Sequence, residues 1–114
     1  MHTKSQSNVL QLLPLHHIQR AIHAFFAEVN EQSLLLMMHH PEMEAEAQRI
    51  VRQSNKCLQA HIGKLKSIHG NSDAASQALR ELCTAAEQES LTLLLRIQQA
   101  RAKAQSTAPE AKEL

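Results

Sequence analysis

Hydrophobic residues recur along this chain at steps of three and four positions, with polar residues between them, over three long stretches. This spacing places the apolar side chains on one face of a helix. The pattern therefore predicts three amphipathic helices around one shared core. The predicted core positions are Leu15, Ile18, Ile22, Phe25, Val29 and Leu36, then Met43, Ala47, Ile50, Cys57, Ile62 and Leu65, then Ala75, Leu79, Leu82, Ala86, Leu93, Ile97 and Ala100.

Two prolines set the predicted bounds of the first helix. Pro14 suits the first turn of a helix, where its missing N–H is not needed. The helix is expected to run to about His39, because Pro41 disfavours the α conformation at His40. The second helix is predicted to open at Pro41.

The second helix is predicted to continue to about His69. The Gly70–Asn71 pair can supply the left-handed residues that close a helix. Ser72 or Asp73 is expected to cap the third helix.

The third helix is predicted to end near Gln105, so a single domain spans residues 1–105. Each helix has ~25–33 residues, and connections of a few residues require antiparallel neighbours. The predicted fold class is all-α, with three long antiparallel helices in an up-down-up bundle. A short apolar segment, Asn8–Leu13, precedes the bundle, and a polar, mobile tail is expected at residues 106–114.

Composition narrows the possible functions. The chain has 114 residues, of which 43% are hydrophobic, and its net charge of +1 gives no electrostatic reason to bind nucleic acid or an anionic membrane. Phe25 and Phe26 are its only aromatic residues, too few for base stacking. The apolar run Leu34–Met38 is far shorter than the roughly 20 residues that span a bilayer. The chain is therefore predicted to be soluble and cytoplasmic, with Cys57 and Cys83 reduced.

Two segments carry apolar residues on every side of a helix, namely Leu34–Met38 and Leu93–Leu95. A bundle core can bury one face of such a segment. The segment Asn8–Leu13 could cover the excess, but two apolar segments exceed what one short stretch can cover. We therefore favour a surface for another subunit or a partner protein. The predicted partner-binding residues are Leu34, Leu35, Met37, Met38 and Leu94.

One thiol–imidazole group is a candidate metal site. Folding the helices at their connections brings His23, Cys57, His61 and Cys83 to one level of the bundle, and two thiolates with two imidazoles can hold zinc. The favoured interpretation is two core cysteines beside a partly buried histidine, because free cysteine is usually buried. We expect no metal and no cofactor. A catalytic Cys57–His61 pair is disfavoured, because no third group evidently orients the histidine.

The general plan of the chain, in which Leu12-Leu13-Pro14 leads into long helices, resembles that of small bacterial anti-activators of LuxR-type quorum-sensing regulators. That resemblance implies sequestration of a transcriptional activator by a cytoplasmic helical protein, some of whose relatives act as homodimers. The general plan also resembles flagellar and type III secretion export chaperones. The predicted function is a non-enzymatic, protein-binding regulator, likewise expected to be a homodimer, with an export chaperone and a helical metal-binding protein as alternatives.

Overall fold

The computed structural model consists of three α-helices and one short turn of 3₁₀ helix. It describes the backbone of residues 2–70 and 72–113, and the side chains of residues 15–70 and 72–106. Helix α1 spans His2–His39, the 3₁₀ turn spans Pro41–Met43, α2 spans Glu44–Ser67 and α3 spans Asp73–Glu113. No strand occurs among the described residues. The predicted all-α, three-helix fold is confirmed.

Helices α1 and α3 are longer than the sequence predicts. α1 begins at His2, well before the expected start at Pro14, and α3 continues through Glu113 instead of ending near Gln105. The added stretches contain no glycine and several residues with high helix propensity, such as leucine, alanine, glutamate and lysine. No helix of the described chain is apolar enough over a sufficient length to cross a membrane.

Two predictions concern the chain ends, namely the docking of Asn8–Leu13 over the bundle and the mobility of residues 106–114. The side chains of residues 8–13 and 107–114 lie outside the described residues, and both statements stay predictions.

The corner between α1 and α2 is formed by a proline. His40 precedes Pro41 and adopts φ −137° and ψ 78°, outside the α region, as proline requires of its predecessor. The His40 N–H still donates to the Leu36 carbonyl at 2.8 Å, and the Met43 N–H donates to the His40 carbonyl at 2.8 Å. Pro41 therefore opens a 3₁₀ turn, and α2 begins at Glu44, slightly later than predicted.

The corner between α2 and α3 follows the predicted stop and start signals. Ile68 is extended, with φ −90° and ψ 118°, and Gly70 has a φ of +88°, a left-handed value that glycine adopts without strain. The Ala75 N–H donates to Ser72 Oγ at 3.1 Å, so Ser72 is the cap of α3. Asn71, the other predicted stop residue, lies outside the described residues.

Removing this cap should destabilise the chain. We expect Ser72→Ala to lower the free energy of unfolding by about 0.5–2 kcal/mol, because the Ala75 N–H loses its acceptor. Urea unfolding followed by circular dichroism measures the change. Thr92→Ala is the control, since Thr92 is an exposed residue inside α3 whose Oγ1 donates to the Gln88 carbonyl of the same helix. Equal losses in the two variants would contradict the capping role of Ser72.

Contacts between the helices establish their relative directions. Asn30 Nδ2 donates to Asn55 Oδ1 at 3.2 Å, whereas Phe26, one turn earlier in α1, stacks on His61, further along α2. These two helices are therefore antiparallel. α3 returns in the same way, because Arg96 pairs with Glu46 near the start of α2 and Glu89 pairs with His61 near its end. α1 and α3 are consequently parallel, as an up-down-up bundle requires.

The predicted core is largely correct, with one shift in α1. All seven predicted core residues of α3 are buried. In α1, Phe26 is fully buried whereas Phe25 is only half-buried, and Leu15 is 42% exposed. The prediction that Phe25, and not Phe26, lies in the core was therefore wrong. The buried face of α1 is rotated slightly about the helix axis relative to the face that the three-and-four spacing predicts.

Among residues 15–70 and 72–106, four polar residues also lie in the core, which the apolar pattern did not predict. Ser33, Ser54, Ser90 and His61 are all buried. Ser54 Oγ donates to the Phe26 carbonyl at 3.3 Å and joins α2 to α1. Ser90 Oγ donates to a carbonyl of its own helix at 2.7 Å, so its polar atom is satisfied locally.

Candidate functional site

The C-terminal part of α1 exposes two large apolar side chains four residues apart. Leu34 is 51% exposed and Met38 is 64% exposed. Residues at this spacing are neighbours on one helix face, so the two form a continuous surface that we call the α1 patch. Leu35 is half-buried, and Met37 packs against the core. Leu34 and Met38 are thus the predicted α1 residues most available to a partner.

A second apolar surface lies on α3. The predicted residue Leu94 is half-buried and packs partly against the core, but Leu91 and Leu95 beside it are 51% and 53% exposed. Leu91 lies three residues before Leu94 and four residues before Leu95, so it is a neighbour of both on the helix surface. We call these three leucines the α3 strip. Leu91 and Leu95 were both missed as site residues. Their signal was the step of four between them, which lies off the stripe of buried α3 residues.

Leu94 lines a cleft together with Glu28 and Gln32 of α1, so it faces the turns of α1 that precede the α1 patch. Arg101 Nη2 donates to Gln32 Oε1 at 3.5 Å across the same cleft. The α1 patch lies further along α1, and a binding surface that joins Leu94 to the α1 residues stays a prediction.

The thiol–imidazole group has a different arrangement from the one predicted. His61 is 3% exposed and is therefore fully inside the bundle, whereas Cys57 and Cys83 are half-buried. The His61 ring stacks on the Phe26 ring, with centroids 6.0 Å apart and an angle of 17° between the ring planes. The histidine, and not the cysteines, is the core member of this group.

Glu89 of α3 is the charged partner of this histidine. Its Oε2 lies 3.1 Å from His61 Nε2. The distance suits a hydrogen bond, but the direction of the N–H does not, so the contact is an electrostatic pairing. His61 Nδ1 has no hydrogen-bond partner among the described residues. The pairing joins α2 to α3 at the level where α1 supplies Phe26.

Glu89 also keeps the neighbouring thiol protonated. Burial, together with a hydrogen bond to Glu89 and the negative charge of Glu89, raises the pKa of Cys57 to about 11. Gln53 Nε2 lies 3.7 Å from the sulfur and opposes this shift in part. Burial and the charge of Glu87 likewise raise the pKa of Cys83. Because the thiolate is the nucleophile, this arrangement does not favour thiol catalysis even though Glu89 is a third group beside Cys57 and His61.

The four residues weighed as zinc ligands do not form a common site. His23 is exposed on α1, while the imidazole of His61 contacts Phe26 and Glu89. Over residues 15–70 and 72–106, no three histidine, cysteine, aspartate or glutamate side chains converge in a way that could hold a metal ion. The predicted alignment of His23, Cys57, His61 and Cys83 at one level does not bring their ligand atoms together.

The pairing of Glu89 predicts how stability depends on pH. Burial raises the pKa of Glu89, but the hydrogen bond from Cys57, the close contact with the His61 imidazole and the positive charge of Lys64 outweigh it, so the net pKa is lowered. A carboxylate with a lowered folded pKa stabilises the fold above its unfolded pKa, near 4.5. This stabilisation is lost as the pH falls through the folded value.

We therefore expect Glu89→Gln to be less stable than the natural chain near neutral pH, with the difference shrinking below about pH 4.5. Urea unfolding at several pH values measures it. Glu81→Gln is the matched control, because Glu81 is an exposed carboxylate of the same helix that accepts a hydrogen bond from the neutral Gln77. A Glu89→Gln difference that stays constant with pH would contradict the pairing.

A polar cleft of about 440 Å³ lies between the start of α2 and α3. Glu46 occupies its wall and pairs with Arg49 at 3.1 Å and with Arg96 at 3.3 Å. Burial raises the pKa of Glu46, but the hydrogen bonds and charges of the two arginines outweigh it, and the net pKa is lowered. Since both arginines are engaged by this carboxylate, the cleft serves as an ion-pair link between α2 and α3.

No protein-family model, curated protein or solved structure matches this chain. The resemblance to anti-activators therefore stays a prediction.

Proposed function

We propose that this chain is a non-enzymatic, protein-binding regulator that sequesters a partner protein. The observation that supports this most directly is the pairing of exposed large apolar side chains on two helices. Single exposed leucines are common on protein surfaces, whereas contiguous apolar surfaces often mark interaction sites. The α1 patch and the α3 strip are each contiguous along one helix.

Both surfaces lie on long helices whose opposite faces are held in the core. Leu34 lies between the buried residues Ser33 and Leu36, and Leu95 lies between Leu93 and Ile97. The anchor residues are therefore held in place before a partner arrives, which lowers the entropy lost on binding. Apolar anchors spaced by four residues suit recognition of a partner helix.

The resemblance seen in the sequence ranks a transcriptional activator of the LuxR type first among partners. A secreted subunit or an export ATPase as partner would instead favour the chaperone alternative. The expected homodimer is a separate prediction, and light scattering at micromolar concentration measures it.

Capture from the native cell followed by mass spectrometry tests the proposal. The matched control is a chain in which four exposed residues, Leu34, Met38, Leu91 and Leu95, are replaced by glutamine, with folding checked by circular dichroism. We expect one stoichiometric partner with the natural chain and none with the control. Recovery of the same proteins by both chains would contradict the proposal.

A further inference from the structure

The α3 strip borders a groove between α1 and α3. The groove contains a cleft of about 260 Å³. Leu94 and Ile97 are its apolar lining, and Glu28 and Gln32 line it from α1. Gln98 also lines the cleft, and Leu91 precedes Gln98 by two turns on the same helix face. Leu91 therefore extends the apolar lining of the groove along α3.

Two carboxylates and one arginine border this groove. Glu28 lies in the cleft wall, and Glu87 lies one turn before Leu91 on the same face of α3. None of the ion pairs among the described residues includes either carboxylate. Glu28 accepts a hydrogen bond from neutral Gln32, and Arg101, which also lines the cleft, donates to that same glutamine. The groove thus combines the apolar residues Leu94 and Ile97 with two carboxylates that outnumber its one arginine.

From this combination we propose that the groove binds an amphipathic helix of the partner, with apolar residues on one face and lysines or arginines beside them. The inference rests on the proposed protein-binding function and specifies the chemistry of its partner. The apolar face of that helix would cover Leu91, Leu94 and Leu95, and its cations would pair with Glu28 and Glu87. Such pairing favours a basic helix over an acidic one and weakens with added salt.

A second copy of this chain fits the groove less well. The α1 patch offers apolar anchors, but the residues one turn from Leu34 are Asn30, Glu31, Met37 and Met38, none of which is a lysine or arginine. The basic stripe of α2 offers Arg49, Arg52 and Lys56, but no large apolar residue of α2 is exposed. Neither the α1 patch nor the basic residues of α2 therefore combine exposed apolar anchors with lysines or arginines.

Titration with labelled synthetic helices tests this inference on the full chain by fluorescence anisotropy. One peptide carries leucines four residues apart flanked by lysines, and a second carries the same leucines flanked by glutamates. We expect the basic peptide to bind at least tenfold more tightly. The double variant Leu91→Gln/Leu95→Gln should lose this binding, whereas Leu15→Gln, which alters an exposed leucine elsewhere, should retain it.

The charged edges are tested by the double variant Glu28→Gln/Glu87→Gln, which should reduce the preference for the basic peptide and its salt dependence. Equal binding of the two peptides, or unchanged binding after Leu91→Gln/Leu95→Gln, would overturn the inference. Self-association that disappears in the Leu91→Gln/Leu95→Gln chain would identify a second copy as the occupant and would also overturn it.

Failure of this inference can be separated from failure of the proposed function. If neither peptide binds but the natural partner is still captured through Leu34 and Met38, the groove assignment is wrong and the protein-binding function stands. If the fourfold glutamine variant captures the same proteins as the natural chain, the protein-binding function itself is wrong.

Discussion

Replacing Phe26 with alanine should lower the free energy of unfolding by about 3–5 kcal/mol. Phe26 is fully buried at the meeting point of all three helices. Its ring stacks on His61, which in turn pairs with Glu89 of α3. Truncation would therefore open a cavity beside an imidazole whose Nδ1 has no partner among the described residues. Urea unfolding monitored by circular dichroism measures the loss.

The adjacent phenylalanine provides a matched control. Phe25 has the same side chain but is only half-buried, so Phe25→Ala removes less contact with the core and should cost clearly less than Phe26→Ala. A result in which Phe25→Ala is the more damaging change would mean that the buried face of α1 is the one inferred from the apolar spacing.

The second large effect concerns partner binding. We expect Leu34→Glu/Met38→Glu to weaken partner affinity by roughly 2–4 kcal/mol, because an apolar anchor is replaced by a carboxylate that binding would bury. Both positions are more than half exposed in the free chain. The folded state should therefore tolerate the change, and circular dichroism should show unchanged helix content.

The fold could be predicted from the sequence because the residues that start, stop and cap its helices act locally. Pro41 and Gly70 interrupt the helices, Ser72 caps the third one, and the apolar spacing selects the buried face of α3 correctly. These features depend on the chain within a turn or two of each residue. The helix ends were less accessible, since Pro14 lies inside α1 although it also suits a helix start.

The buried polar cluster was not accessible in the same way. The sequence singled out His61 as a partly buried histidine beside two cysteines, but it gave no signal for Glu89, whose role depends on a residue of another helix. The contact between His61 and Glu89 depends on the register of α2 against α3, which no local spacing specifies. The sequence analysis therefore missed the carboxylate that pairs with the histidine and raises the pKa of the Cys57 thiol.

The candidate binding surface could be predicted only in part from the sequence. Leu34 and Met38 were predicted correctly as apolar residues in excess of what one core face holds. Leu94 was chosen on the same ground, yet it packs partly inward while Leu91 and Leu95 are exposed. Choosing among consecutive leucines requires the rotation of α3 about its axis, which packing against α1 and α2 sets.

The partner affinity of two sets of variants tests the central claim most directly. One set changes the apolar surface, as in Leu34→Glu/Met38→Glu, and the other changes the thiol–imidazole group, as in His61→Ala and Cys83→Ala. Affinity for the captured partner is measured for each variant at a temperature where it is folded. The account predicts loss of binding in the first set and retained binding in the second. Retained binding in Leu34→Glu/Met38→Glu, with loss in folded His61→Ala or Cys83→Ala, would contradict it.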